Sequence, residues 1–248
     1  MYLGITTFKE RFDTHFKLLL EDIKGYPAIV AVNASYKDGL CKDYCKEMLK
    51  LLSYYDNISP IFYQQMRGCA KMWNDLIIHS PTPHILITND DNRIINCKNL
   101  LENCFSYTKT HEFFKINRCM SHFVAGKEIM IKLGWFDERY LGFGEEDGDI
   151  MWRHLKMFGY PIPNFEDSDI ENHSSNIIDA NVKTYYGKYT EFNRQFCYCQ
   201  NNDYNIPCKY IPDPDGLQST YGEKMSQQLP DVPQYPYEEF FIKNRNLL

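Results

Sequence analysis

The first half of the sequence alternates between short apolar segments and longer segments with helical periodicity, and this alternation restricts the fold more than any other feature. The apolar segments predict strands at residues 2–7, 28–33, 61–63 and 84–88. Apolar residues at helical spacing predict helices at residues 12–23, 38–52 and 68–78. Strands that alternate with helices across short connections predict an α/β fold, in which helices flank a mostly parallel sheet.

The predicted sheet also indicates where a ligand would bind. Residues 28–33 are almost wholly apolar, which is typical of a strand that is buried on both faces. Ligands of such sheets bind beyond the carboxyl ends of the strands. The segments at 6–10, 33–36 and 89–93 follow predicted strands, and they are therefore the candidate ligand-binding positions.

The second half of the chain has a different pattern. It predicts extended chain at 113–125, a helix at 127–133, an aromatic and Gly-rich loop at 134–144, and a helix at 146–158. A last helical stretch is predicted at about 177–196.

The C-terminal residues 203–248 combine two features that rarely occur together. They hold half of the 12 prolines of the chain, and they are also rich in Tyr and Phe. So many aromatic residues predict a tail that packs on the domain or on a partner subunit, which leaves a homodimer open. We therefore expect one domain at 1–175 and a C-terminal helix with an extended tail at 176–248.

The composition excludes several classes of protein. A net charge of −6 provides no broad positive field for a phosphate backbone, so we expect no nucleic-acid partner. No apolar run approaches the roughly 18 residues needed to cross a bilayer, and the N-terminal residues have no signal-peptide pattern. Nine cysteines, an odd number, predict reduced thiols in the cytoplasm. Cys197, Cys199 and Cys208 lack a fourth ligand at zinc-finger spacing, which favours scattered thiols over a zinc site.

Two adjacent carboxylates follow the strand that is predicted at 84–88. Asp90 and Asp91 would therefore lie at the carboxyl end of a strand, where ligands bind. Hard oxygen ligands of this kind suit Mg²⁺ or Mn²⁺, which complete their coordination with water and substrate phosphate. Taken alone, the segment is equally well explained as an ordinary Asn-Asp turn.

The densest cluster of charge lies at the start of the helix predicted at 146–158. Four carboxylates occur within five residues, namely Glu145, Glu146, Asp147 and Asp149. A helix dipole favours one or two acidic residues in the first turn, and four exceed what capping needs. Clustering raises the pKa of at least one of these carboxylates, which suits it to act as a general base. Flanking aromatic rings favour a sugar ligand here, and a solvated helix start is the alternative.

Three segments resemble GT-A fold glycosyltransferases of the large family-2 type. The segment Gly4-Ile-Thr-Thr-Phe-Lys-Glu-Arg11 resembles the first strand and nucleotide-binding turn of that family. The segment Ile85-Leu-Ile-Thr-Asn-Asp-Asp-Asn92 resembles the strand that ends in its DxD motif. Residues 134–150 closely resemble the acceptor segment shared with galactosyltransferases. The resemblance covers about residues 1–175, with a nucleotide-binding half at about 1–95 and an acceptor half at about 96–175.

The resemblance implies an inverting glycosyltransferase. It would use a nucleotide-diphosphate sugar donor, a glycan or glycoconjugate acceptor, and Mn²⁺ or Mg²⁺. Asp91 would bind the metal, Asp90 would lie near the ribose, and Asp147 would be the general base. A lone His is more often structural than a ligand, but the family often has a later His on the metal, and His173 holds that place. The remaining implied residues are Thr6, Thr7, Arg11, Asn33 and Asn89 for the donor, and Trp135, Phe143, Glu146 and Asp149 for the acceptor.

The sequence departs from the family pattern at two positions. Asn89 replaces the first carboxylate of the DxD motif, and Asn33 falls near the carboxylate that follows the second strand of the family. Asn89 favours a rival interpretation, in which the chain is a non-catalytic sugar-binding or scaffold protein. A sugar nucleotidyltransferase is a second rival, although the turn after the first strand lacks the Gly-rich loop that such an enzyme needs. The richness in Asn, Lys, Ile and Tyr is typical of an AT-rich genome, such as that of a polysaccharide-making bacterium or a large virus acting in the host cytoplasm.

Overall fold

A computed structural model describes residues 1–34, 41–64, 66–140, 142–173 and 193. The chain divides by its internal contacts into two compact units, each built from separate parts of the sequence. Unit 1 comprises Met1–Arg67, Asp75–Ile129 and Ile162–Asp179, and unit 2 comprises Gly68–Asn74, Met130–Pro161 and Ala180–Leu248. The boundary that we predicted at residue 175 lies outside the described residues and stays a prediction.

Unit 1 is built on a seven-stranded sheet with the strand order β3-β2-β1-β4-β7-β6-β8. The strands of this sheet are β1 (Tyr2–Phe8), β2 (Ala28–Asn33), β3 (Ile58–Phe62), β4 (His84–Asn89), β6 (Phe113–Ile116), β7 (Cys119–Gly126) and β8 (Asn164–Phe165). The first four strands pair in parallel, and β7 pairs antiparallel with both β4 and β6. The prediction of a mostly parallel α/β sheet is therefore confirmed for the N-terminal half.

The helices in the described ranges are α1 (Lys17–Asp22), α2 (Lys42–Leu52), α3 (Cys69–His79), α4 (Cys97–Tyr107), α5 (Lys127–Leu133) and α6 (Glu146–Phe158). The predicted bounds of α5 and α6 are confirmed. The helix predicted at 12–23 is less regular, because the chain runs through a 3₁₀ turn at Lys9–Arg11 and a π-helix at Phe12–Phe16 before α1 begins. The helix predicted at about 177–196, the tail at 203–248 and its cysteines lie outside the described residues, apart from Asn193.

A large part of the core of unit 1 lies on one face of the sheet and follows the alternation of the strands. The strand residues that face it include Leu3, Ile5, Ala28, Val30, Val32, Leu86 and Val124. The helix residues that cover them come from α1, α2 and α4, and include Leu19, Leu20, Tyr44, Met48, Leu52, Leu100 and Cys104. In α2 the buried residues are four apart, which is the spacing of one helix face.

Two local features differ from the sequence-based expectation. Cys41 falls inside the helix predicted at 38–52, but it is the N-cap of α2, and its Sγ accepts a hydrogen bond from the Tyr44 backbone N–H at 3.4 Å. The helix α4 was not predicted, since its buried stripe consists of Cys97, Leu100 and Cys104 and its other residues are mostly polar. No helix in the described ranges combines the length and the apolar character that crossing a bilayer requires.

A small second sheet in unit 1 joins the chain after β4 to a much later segment. Strand β5 (Asn92–Ile94) pairs antiparallel with β9 (Ile170–Asn172). The pairing continues beyond the strands, because the His173 backbone N–H donates to the Asp91 carbonyl oxygen at 2.8 Å. A bidentate ion pair from Arg93 to Asp22, with distances of 2.6 and 2.7 Å, ties β5 to the end of α1.

Unit 2 is organised around the loop between α5 and α6. The Asn74 side chain binds both backbone groups of Phe136. Its Oδ1 accepts from the Phe136 N–H at 3.0 Å, and its Nδ2 donates to the Phe136 carbonyl oxygen at 2.9 Å. The Cys69 backbone N–H donates to the Gly142 carbonyl oxygen at 2.9 Å, which places the start of α3 directly against this loop. The loop needs left-handed backbone at three glycines, Gly134, Gly142 and Gly144.

We expect Gly68→Ala to destabilise unit 2. A Cβ at this position would lie 2.9 Å from the Tyr140 carbonyl oxygen and 3.1 Å from the Gly142 carbonyl oxygen, both of which are backbone atoms. Overpacking of this kind costs about 1–3 kcal/mol in the free energy of unfolding. Urea denaturation measures the change.

Gly148→Ala in α6 is the matched control, because its Cβ would find only the Glu145 Oε2 at 3.5 Å, an ordinary contact. Replacing a helical Gly by Ala should leave stability unchanged or raise it by up to about 1 kcal/mol. If Gly68→Ala and the parent chain have equal free energies of unfolding, the loop accommodates the added Cβ without loss of stability.

Candidate functional site

The carboxyl ends of β1 and β4 bring together the polar residues that were predicted to bind the donor. The Thr6 hydroxyl donates to the Asn89 Oδ1 at 2.7 Å, and the Thr7 hydroxyl donates to the Asp90 Oδ2 at 2.8 Å. The Asp90 backbone N–H extends the parallel pairing by donating to the Thr6 carbonyl oxygen at 3.1 Å. The register of β1 against β4 therefore fixes where the Asn-Asp-Asp segment lies.

Arg11 contacts both aspartates of this segment. Its Nη1 lies 3.0 Å from the Asp90 Oδ1 and 2.9 Å from the Asp91 Oδ2, and its guanidinium lies over the Phe8 ring at 5.1 Å. Burial raises the pKa of Asp90 to about 6, with Arg11 acting to lower it and the Asp91 charge acting to raise it. The 3₁₀ turn that follows β1 thus supplies a cation to two buried carboxylates.

The residues predicted to hold a metal are neighbours in the structure. His173 is joined to Asp91 through the backbone hydrogen bond that extends the β5–β9 pairing. The Asp91 Oδ1 is buried and has no hydrogen-bond partner among the described residues. The His173 Nε2 lies 2.7 Å from the Glu171 Oε1, so its imidazole contacts a neighbouring carboxylate here.

An unpartnered buried carboxylate oxygen and an adjacent imidazole fit a divalent cation that completes its coordination with water and phosphate. Among the described residues, no group of three or more His, Cys, Asp or Glu side chains is arranged to hold a metal by itself. The described residues would therefore supply only part of the coordination shell.

Asn33, at the end of β2, binds the backbone of Arg67 with both polar atoms of its side-chain amide, and its Oδ1 also accepts from the Ala34 backbone N–H at 3.1 Å. Its Nδ2 donates to the Arg67 carbonyl oxygen at 2.8 Å, and its Oδ1 accepts from the Arg67 backbone N–H at 2.9 Å. The amide is fully buried. Asn33 therefore holds the chain after β3 in place, and a role for it in donor binding remains a prediction.

A buried polar network beneath the Asn-Asp-Asp segment was not found from the sequence. The Asn92 Nδ2 donates to the Thr88 hydroxyl at 2.8 Å and to the Ser121 carbonyl oxygen at 3.3 Å. His122 lies opposite Thr88 on β7, and its Nδ1 is 2.9 Å from the Ser121 hydroxyl. Burial lowers the pKa of His122 to about 4, although the Asp91 charge acts to raise it. Only the β4–β7 register, which sequence spacing does not reveal, brings these residues together.

In unit 2, the four carboxylates at the start of α6 have different surroundings. Glu146 is 4% exposed, and its Oε2 has no hydrogen-bond partner among the described residues. Burial raises the pKa of Glu146 to about 8, and the Asp147 charge raises it further. Asp149 is buried in an ion pair with Arg153 at 2.6 Å. Asp147 is only half-buried, and its Oδ1 accepts from the Gly148 backbone N–H at 2.9 Å.

The aromatic loop before α6 is more buried than its sequence suggests. Trp135 is 0% exposed and Phe136 packs against Trp73 with ring centroids 5.0 Å apart. The exposed face that we expected Trp135 to offer a sugar is therefore absent, because the ring belongs to the interior of unit 2. Phe143 is half-buried, and the Asn193 Nδ2 donates to the neighbouring Gly144 carbonyl oxygen at 2.9 Å.

The chain was compared with known proteins by sequence and by structure. Neither a protein-family model nor a curated protein matches it. Among solved structures it is similar to the mannosyltransferase PcManGT from Pyrobaculum calidifontis in complex with GDP-Man and Mn²⁺, with a TM-score of 0.53 and 15% identity over 83% of this chain and 65% of that one.

It also matches TarS from S. aureus, with a TM-score of 0.48 and 12% identity over 68% of this chain. The chain spans 35% of that TarS structure and less than two thirds of PcManGT.

The similarity to PcManGT and the strand order decide the fold. The chain has the GT-A fold. In this GT-A fold, the Asn-Asp-Asp segment lies at the carboxyl end of β4, which is where ligands of open α/β sheets bind.

The raised pKa of the buried Glu146 leads us to predict that the stability of this GT-A chain depends on pH. Its pKa is raised to about 8 in the folded chain from an ordinary value of 4.5, so the folded state keeps a proton that the unfolded state has lost. The free energy of unfolding should therefore fall as pH rises from 4.5 to 8. Glu146→Gln mimics the protonated form, and its melting temperature should equal that of the parent at pH 4.5 and exceed it by roughly 10 °C or more at pH 8.

Thermal melting from pH 4.5 to 9 measures this difference. Glu102→Gln is the control, since Glu102 is exposed and paired only with Lys98 at 3.9 Å, and its curve should run parallel to that of the parent. A Glu146→Gln curve that is also parallel would mean that Glu146 is ionised in the folded chain at neutral pH.

Proposed function

We propose that this chain is a glycosyltransferase that moves a sugar from a nucleotide-diphosphate sugar to a hydroxyl group of a glycan or glycoconjugate. The observation that carries the proposal is the pair of buried aspartates, Asp90 and Asp91, at the carboxyl end of β4 in a GT-A fold. The similar structure of PcManGT was determined with GDP-Man and Mn²⁺, which supports a nucleotide sugar and a divalent ion as ligands.

In this proposal the donor binds to unit 1. Thr6, Thr7 and Asn89 would orient the nucleotide, with Asp90 near the ribose, and these four residues are already joined by hydrogen bonds. Arg11 supplies a positive charge beside them. Asn33 would act indirectly, because it fixes the Arg67 backbone in the segment that follows β3.

The proposed metal ligands are Asp91 and His173, which would hold Mn²⁺ or Mg²⁺. When bound, such an ion offsets the charge of the diphosphate and stabilises the leaving nucleotide as a Lewis acid. Two features fit this role: the Asp91 Oδ1 has no hydrogen-bond partner among the described residues, and the His173 backbone N–H is bonded to the Asp91 carbonyl oxygen.

We propose Asp147 as the general base on the acceptor side. Asp147 is half-buried, whereas Asp149 is already paired with Arg153 and Glu146 keeps its proton at neutral pH. In an inverting transfer the acceptor oxygen forms a bond to the anomeric carbon and gives its proton to the Asp147 carboxylate. The bond from that carbon to the diphosphate breaks, and its electron pair leaves with the nucleotide. Glu146 would donate a hydrogen bond to the acceptor, beside Phe143.

A non-catalytic sugar-binding protein is the second candidate, and the Asn89 amide and the Arg11 ion pairs favour it because they reduce the negative charge at the proposed metal site. Thermal shifts with UDP-, GDP- and dTDP-sugars in the presence of Mn²⁺ identify the donor in either case, since a ligand of the native state raises the melting temperature. Release of nucleotide from the best donor separates the candidates. A chain that binds a donor and never releases the nucleotide, with any acceptor or with water, is the binding protein.

Asp147→Asn tests the base. The change is nearly isosteric, so folding and donor binding should persist while transfer falls by about 10²-fold or more, the usual contribution of a general base. Donor thermal shift and the rate of nucleotide release are measured on the same preparation.

Asp149→Asn is the comparison variant. It should lose stability through its broken pair with Arg153, and its defect in transfer should be the smaller of the two. Near-normal transfer by Asp147→Asn would mean that another group accepts the proton of the acceptor hydroxyl.

Asp91→Ala and His173→Ala test the metal ligands. Each change removes one proposed ligand, so each should weaken Mn²⁺ affinity and donor affinity together, by about tenfold or more for the carboxylate. Isothermal titration of Mn²⁺ in the presence of the identified nucleotide measures the effect. His111→Ala is the control for loss of an imidazole, because the His111 ring stacks on Tyr107 at the end of α4 and is not one of the proposed ligands. If His173→Ala binds Mn²⁺ as tightly as the parent, His173 is not a ligand.

A further inference from the structure

The aspartates assigned to the donor and the metal already hold a cation of the chain itself. One atom, the Arg11 Nη1, contacts the Asp90 Oδ1 at 3.0 Å and the Asp91 Oδ2 at 2.9 Å. The aspartate side chains are almost wholly buried, and the Arg11 side chain is 18% exposed. Because the surrounding solvent is largely excluded, this contact is screened less than a surface ion pair would be.

The hydrogen bonds account for three of the four carboxylate oxygens. Thr7 donates to the Asp90 Oδ2, and Arg11 contacts the Asp90 Oδ1 and the Asp91 Oδ2. The Asp91 Oδ1 alone has no partner among the described residues. A divalent ion that approached Asp91 would therefore find one unpartnered oxygen and a guanidinium bound to the other.

We propose that Arg11 is an internal competitor of the divalent ion, so that the chain without nucleotide binds Mn²⁺ weakly until Arg11 leaves Asp91. The inference rests on the proposed function, because it concerns the same carboxylates. Its physical basis is simple: two cations in contact with one carboxylate repel each other, and the repulsion is strong where water is scarce.

A diphosphate would relieve this competition. Arginine binds phosphate oxygens through two parallel hydrogen bonds, so a donor diphosphate offers Arg11 a partner in place of the two aspartates. The aspartates then become available to the ion. Nucleotide and ion would consequently bind cooperatively, and by thermodynamic linkage each would tighten the binding of the other.

The test is a titration of the full chain with Mn²⁺ alone, without nucleotide or acceptor. Binding is measured by calorimetry or from the spin-resonance signal of free Mn²⁺. Arg11→Gln should bind Mn²⁺ at least about tenfold more tightly than the parent, because the competing charge is gone. Arg118→Gln is the matched control: Arg118 is 82% exposed and pairs with Glu166, so this variant loses the same charge at a distance and should leave the Mn²⁺ affinity unchanged. The double variant Arg11→Gln/Asp91→Asn should not show this increase in Mn²⁺ affinity, and that result would place the ion at Asp91.

Equal Mn²⁺ affinity of the parent and Arg11→Gln would overturn the inference, as would tight binding that persists in the double variant. Thermal melting checks that each variant is folded, and Arg11→Met, which keeps the aliphatic part of the side chain beside Phe8, replaces the Gln variant if that one unfolds. The nucleotide-sugar experiments of the proposed function are independent of this titration. If the chain transfers sugar but Arg11→Gln does not change Mn²⁺ binding, the proposed function stands and the inference about Arg11 is wrong.

Discussion

The parallel pairing of β1 with β4 is the constraint on which the donor side of the structure depends. It sets Thr6 opposite Asn89, and the hydrogen bond from the Asp90 backbone to Thr6 extends the ladder past the end of the strand. Two threonine hydroxyls can then bind the side chains of Asn89 and Asp90. A slip of one residue in this register would turn each of these side chains to the other face of the sheet.

The three carboxylates at the start of α6 show how neighbours divide roles within a short segment. Within the part of the chain that the structure describes, Glu146 has no ion pair, and burial raises its pKa to about 8, which keeps it protonated at neutral pH. Asp149 is equally buried but has Arg153 one helical turn away. Asp147 is the member that solvent reaches. These three carboxylates therefore differ in burial and in pairing, although the residue types are nearly the same.

The sequence was sufficient to predict the parts of the fold that rest on local pattern. Continuous apolar runs predicted β2 and β4, and helical spacing predicted α5 and α6, because burial imposes these patterns on each element separately. The clustering of Thr6, Thr7, Asn89 and Asp90 was also predictable, since parallel strands end at the same edge of a sheet. The residues that the sequence missed, such as His122 and Arg67, meet the site only through strand register or through a side chain that binds distant backbone.

Burial was the other quantity that local pattern could not supply. The sequence indicated an exposed aromatic surface at Trp135, whereas the ring is enclosed because the neighbouring residues Phe136 and Asn74 fix the loop with its rings turned inward. An aromatic residue in a Gly-rich loop is consistent with either arrangement. Which one occurs depends on contacts with α3, about 60 residues earlier in the chain.

The amide of Asn33 has a consequence for how this site can vary. Its two polar atoms match the carbonyl and the N–H of Arg67, so an aspartate in its place would set a carboxylate oxygen against the Arg67 carbonyl, and the two would repel. The carboxylate that the resemblance leads one to expect here is therefore incompatible with the present path of the chain after β3. Because this contact uses only the backbone of Arg67, a substitution of the Arg67 side chain would leave it intact, whereas Asn33→Asp would be tolerated only after that backbone had moved.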